Sequence, residues 1–156
     1  MALARASENE TLRNGQNATR LLLDGSDTGG AMNVIRSQLA VGAPGPGPHL
    51  HKGFSEMLYV VSGELQVLAG DAVTTLLAGD VAVVPPGLPH AFAAAEGSAA
   101  ETLLVMAPGI DRFEYFRQLT GMTSFPPPEE FQEQFDNWFL QSDAWSRRSV
   151  WDRSGT

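Results

Sequence analysis

The chain of 156 residues contains no cysteine. That absence excludes disulfides, thiolate zinc sites, iron–sulfur clusters and a cysteine nucleophile. Positive charge is also scarce: ten Lys and Arg stand against eighteen Asp and Glu, a formal net charge of −8. Nucleic acids and anionic membranes both need a concentrated basic face, so neither is an expected partner. No apolar run approaches the ~20 residues of a membrane-spanning helix. The opening MALARASENETLRN lacks the apolar centre of a secretory leader, and a cytoplasmic location is the expectation. Histidine is scarce too, with three in the whole chain.

What is present is an ordinary globular composition, 43% hydrophobic and 18% charged, in a length that suits one core. Residues 1–18 are polar and without period, which predicts a flexible arm. Residues 19–107 are short apolar runs divided by Gly, Pro and Asp, the pattern of an antiparallel sandwich or barrel. Residues 63–79 read as a hairpin with Gly70-Asp71 near its tip. Over 108–141 the period becomes helical. Asp111 and Glu114 have capping-box spacing, Phe113, Phe116 and Leu119 share a face, and Gly121 supplies a stop. Pro126, Pro127 and Pro128 then lead into a second helix. Its stripe of Phe131, Phe135, Trp138 and Phe139 either packs on the barrel exterior or lids a pocket. Residues 142–156, polar except for Trp145, Val150 and Trp151, read as a loose tail.

All three histidines fall into one pattern. His49 and His51 are two apart, so on a strand both face the same way, ~6.6 Å apart, and can converge on one ion. Glu56 follows after a short turn at the start of the next strand. Two imidazoles and a carboxylate make a transition-metal donor set. His90 comes later, after a strand and the turn Pro85-Pro86-Gly87, which aims it back. Glu56 either ligates directly or hydrogen-bonds a metal-bound water. By alternation, Leu58 and Val60 share the inward face with Glu56, and Phe92 shares it with His90, forming an apolar pocket wall. Arg36 and Gln38 face either inward or to solvent.

His49-Leu50-His51, Glu56 and Gly63 together resemble the first cupin motif, and Gly79, Pro85, Gly87 and His90 the second. Two positions depart from the family pattern: Ala43 stands where a Gly is usual, and Ala94 where an Asn is usual. The resemblance implies an all-β jelly-roll barrel, a double-stranded β-helix, followed by C-terminal helices. It implies one divalent transition metal, Fe, Mn, Ni, Co, Cu or Zn, on His49, His51, Glu56 and His90. It also implies a homodimer, with Tyr59 and the N-terminal arm as contact candidates.

The run from Gly29-Gly30 through Gly63-Glu64, with Pro108-Gly109 before a Phe-rich helix, is similar to single-domain quercetin-dioxygenase-like cupins. That similarity implies cleavage of a flavonol-like, aromatic or enolic small molecule with O2, Glu56 acting as the catalytic base. Two other readings stay open. One is a non-oxidative, Lewis-acid cyclase, isomerase, lyase or decarboxylase, for example of polyketides. The other is a ligand-binding cupin without turnover.

Overall fold

A computed structural model describes residues 1–146. Val150 and Trp151 of the expected tail lie outside the described residues. Ten strands form one curled antiparallel sheet in the order β1-β2-β3-β9-β5-β8-β4-β10, with β6 and β7 also pairing with β5. The strands are β1 (Thr11–Asn14), β2 (Asn17–Leu23), β3 (Asn33–Leu39), β4 (His49–Leu50), β5 (Ser55–Ala69), β6 (Ala72–Leu77), β7 (Val81–Val84), β8 (His90–Ala94), β9 (Ala100–Ala107) and β10 (Trp138–Phe139). Helices α1 (Phe113–Gly121), α2 (Glu129–Gln134) and α3 (Asp143–Ser146) belong to the C-terminal part. The chain is thus mostly β, a curled antiparallel sheet followed by short C-terminal helices, as the all-β expectation requires.

Strand β5 organises the barrel. Glu56, Leu58 and Val60 are buried at alternate positions, as period two requires. A register shift against β9 between Val60 and Ser62 then inserts one residue, and the buried set changes parity to Leu65 and Val67. Gly63 therefore lies inside β5, which runs on into the hairpin. Its φ is +75° and a Cβ would stand 1.8 Å from the Ala99 carbonyl oxygen, so only glycine lets β5 pass from one side of the barrel to the other. The expected hairpin tip is present: Ala69 pairs with Ala72 around Gly70-Asp71.

Three expectations about the ends need correction. Residues 11–18 are not a free arm, because β1 pairs along β2 and Leu12 packs on the main core. Asn17 locks this edge by donating to the Pro44 carbonyl and accepting from the Ala40 amide. The aromatic stripe is not one helix. Asp136 at φ +48° turns the chain out of α2, and Trp138-Phe139 continue as β10, paired with Leu50 and His49. Trp145 is not in a loose tail; α3 buries it against Leu68, Ala91 and Ala93. This explains why both faces of β8 are buried, one by the barrel core and the other by α3.

The start of α1 shows how local spacing misleads. Asp111 does not cap the helix; its carboxylate accepts from the Ser26 amide. Asp24, 88 residues upstream, accepts from the Arg112 amide and also from that of Phe113. The orphan amides of the helix are thus satisfied across the fold, tying α1 to the end of β2.

Candidate metal centre

His49 lies on β4 directly opposite His90, the first residue of β8. His51 follows one residue after β4, and Glu56 is the second residue of β5, between Val84 of β7 and Met106 of β9. The turn before β8 is fastened to the first motif, since the Gly87 amide donates to the His51 carbonyl at 2.6 Å. Two segments far apart in sequence therefore place four side chains on one point. One potential donor atom from each of His49, His51, Glu56 and His90 lies within 4.8 Å of all the others, and every one of the four is buried.

The tautomers follow from the hydrogen bonds. His49 Nδ1 lies 2.8 Å from the Gly47 carbonyl oxygen, His51 Nδ1 2.7 Å from that of Asp136, and His90 Nδ1 3.0 Å from that of Leu88. A carbonyl only accepts, so each Nδ1 carries the hydrogen and each neutral ring presents an Nε2 lone pair. Those lone pairs meet a carboxylate: Glu56 Oε2 is 3.0 Å from His51 Nε2 and 3.3 Å from His90 Nε2. Lone pairs facing lone pairs in a buried pocket repel unless a positive charge sits among them. Either protons or a metal ion supplies it, and three nitrogens with one oxygen are a donor set for a divalent transition metal. The residues fit the ion that the fold implies.

The titration directions agree. Burial and the neighbouring imidazoles hold His49 well below the ordinary histidine range. Burial alone would lower His90, but its hydrogen bond to Glu56 prevails and raises it. Burial alone would raise Glu56, yet its hydrogen bonds to His51 and His90 hold it well below the usual carboxylate range. Glu56 thus favours the protonated form of His90 in the place an ion would take.

Asp136 braces this centre from outside the barrel. Its backbone carbonyl orients His51. Its carboxylate accepts from the amides of Lys52 and Gly53 and from Trp138 Nε1. Phe54 stacks on the His51 ring at 4.3 Å between centroids, so the ring is held by packing on one side and a hydrogen bond on the other.

A cavity of about 410 Å³ opens above the ligands, lined by His49, His51 and Glu56, while His90 lies behind them. That volume suits a small organic molecule. Its walls differ in part from the expected ones. Phe92 lines it, but Leu58 and Val60, though inward, are packed into the solid core with Ile35 and Leu104 and do not reach the cavity. The wall comes instead from Ile35, Ser37 and Leu39 of β3 and Leu104 and Met106 of β9. Arg36 and Gln38 have the opposite parity, face outward and share the Glu101 carboxylate. Tyr115, Phe116 and Phe125 close the cavity from the C-terminal part. The aromatic stripe divides between its two readings. Phe131 and Phe135 pack with Tyr115, while Phe139 reaches the cavity with its ring 6.0 Å from that of His49.

The local spacing did not single out Arg112, Asn137 or Tyr115, and all three line this cavity. Arg112 is 2% exposed and lies over the rings of Phe54, Tyr115 and Phe116. It donates to the Phe135 carbonyl and to Asn137 Oδ1. Burial pushes the Tyr115 hydroxyl up to about 12, so it stays protonated. The available signal was an arginine set among Ile110, Phe113, Tyr115 and Phe116.

Residues 35–106 match the family model of the cupin domain. No curated protein matches the chain. Among solved structures, an RmlC-like cupin from Shewanella frigidimarina aligns with a TM-score of 0.60 and 21% identity over 74% of this chain and 96% of that one. A predicted oxalate decarboxylase from Thermotoga maritima aligns at 0.59 and 26% identity over 67% of this chain and 97% of that one. FeII HppE aligns at 0.56 and 20% identity over 69% of this chain and 60% of its own. Among the described residues, no helix is long and apolar enough to cross a membrane. Residues 35–106 thus match the cupin-domain model, the chain shares the fold of these structures, and its four buried donors could hold a metal ion.

Proposed function

We propose that the protein is a metal-dependent enzyme that cleaves an aromatic or enolic small molecule with O2, in the manner of the quercetin-dioxygenase-like cupins. The observation that carries this reading is the position of the donor cluster at the base of an aromatic-walled cavity of about 410 Å³. His49, His51, Glu56 and His90 would hold the ion, which supplies Lewis acidity and, if redox-active, a route for electrons between substrate and O2. The protein side chains do the rest. Phe92, Tyr115, Phe116 and Phe139 pack a planar substrate and keep water away. Glu56, which lines the cavity, accepts the substrate hydroxyl proton. Met106 and Leu104 bound the other side and limit substrate length.

The test is metal reconstitution of the purified protein, followed by an oxygen-electrode screen of flavonols and related enols under labelled O2. Both labelled atoms should appear in the product. Glu56→Gln with its metal retained should lose turnover, and a fully active variant would remove Glu56 from the proton step. A second reading is non-oxidative Lewis-acid chemistry, favoured by the likeness to a predicted oxalate decarboxylase. Turnover without O2 uptake selects it. A ligand recovered unchanged from metal-loaded protein selects a binding role.

A further inference from the structure

We propose that the cavity takes a small organic anion, with a carboxylate or enolate oxygen received by Arg112 and Asn137 while its other end reaches the ligand cluster. This rests on the metal-enzyme reading above and adds the substrate's charge and its second anchor. Four observations support it. Arg112 is almost wholly buried, yet among the described residues no carboxylate forms an ion pair with it. The carboxylates of Glu56, Asp136 and Asp24 favour its charge from a distance, but none touches it, so the guanidinium lacks a directly bonded counter-ion. Arg112 Nε and Asn137 Nδ2 are buried donors with no acceptor, from two residues already bonded to each other. Two such orphans in one cluster are a marked exception in a folded interior.

Charge points the same way. Arg112 is the one permanent cation and Glu56 the one carboxylate lining the cavity among the described residues. Glu56 is committed to His51 and His90, so with a divalent ion in place the cavity carries net positive charge. The third orphan, Asn33 Oδ1, belongs to a residue that does not line the cavity. Phe54 separates the two anchors, stacking on His51 at 4.3 Å and lying 5.3 Å beneath the guanidinium. A carboxylate meeting a fork of guanidinium and amide donors in this buried setting makes charge-assisted hydrogen bonds that a neutral amide does not.

The experiment uses 3,4-dihydroxybenzoate and 3,4-dihydroxybenzamide, which share the metal-seeking catechol end and differ at the distal group. Both are titrated calorimetrically into the full chain loaded with zinc, under argon. The benzoate should bind about tenfold or more tightly than the benzamide. Arg112→Met keeps side-chain length over the aromatic rings and should abolish that preference with zinc content unchanged. Asn137→Asp keeps the acceptor for Arg112 and adds an internal carboxylate. It should also collapse the preference, and it serves if Arg112→Met does not fold. Equal binding of the two probes to wild-type protein, or a preference that survives both substitutions, overturns the proposal. If the protein holds no zinc, the metal reading fails by itself. The same titrations on metal-free protein then decide the anion site, through the presence or absence of an Arg112-dependent preference.

Discussion

The two ends of the cavity are built on opposite plans. At the ligand end each histidine is fixed by a backbone carbonyl on its outer nitrogen, and what remains unbalanced is the inner cluster of lone pairs. At the Arg112 end the charge is present and the acceptors run short. One end gathers lone pairs around one point, and the other holds a cation that no carboxylate touches. The proposed ion would answer the first and the proposed anionic ligand the second. The ends also differ in origin. His49, His51, Glu56 and His90 come from the part that matches the cupin model, whereas Arg112 and Asn137 come from the C-terminal part beyond it.

The sharpest way to break this contrast is to remove a ligand. His90→Ala should weaken zinc binding by more than the roughly 10–100-fold that losing an outer partner costs, read by equilibrium dialysis. A smaller loss is expected from Asp136→Ala, about 10–100-fold, because the left-handed backbone at Asp136 and its carboxylate together hold the carbonyl that orients His51. Asp136→Gly should lose less, since glycine accepts φ +48° without strain. Indistinguishable affinity in both variants would show that the ligand end is independent of the C-terminal part.

Acidification gives a graded version. His90 is raised in the metal-free protein, so its proton competes with the ion from above the ordinary histidine value of ~6.5 downward. Affinity should be greatest at higher pH and fall about tenfold per pH unit as pH drops through that range, for the one proton displaced from His90. A flat profile from pH 8 to 6 would contradict the bond between His90 and Glu56. The smallest effect belongs to the outer face. Glu101→Gln removes the partly exposed pairing with Arg36 and should cost under about 1 kcal/mol in denaturant unfolding, with metal affinity unchanged.

These differences also decide what could be read from the sequence. The clustering of the four candidate donors was legible because each lies in a short motif whose turn residues are explicit: Gly87 at φ +81° before His90, and Gly53 between His51 and Glu56. Alternation placed Glu56, Leu58 and Val60 on one face correctly. It could not say that Leu58 and Val60 sit below the cavity floor, which depends on how β3 and β9 pack over them. The parity change after Val60 was hidden because a bulge leaves no mark on an apolar pattern. The stripe of Phe131, Phe135, Trp138 and Phe139 kept helical spacing through Asp136, where the tertiary bonds of one carboxylate override local preference. Arg112 was invisible for the same reason: its partners, Phe135 and Asn137, are brought to it by the fold.

The central claim is that His49, His51, Glu56 and His90 form one metal site. Its most direct test is metal analysis by mass spectrometry of purified protein dialysed against each candidate divalent ion and then against metal-free buffer. The account predicts one tightly held ion per chain in the wild type and none in His49→Ala or His90→Ala variants that remain folded. Retention of no ion by the wild type, or the same stoichiometry after either substitution, would contradict it.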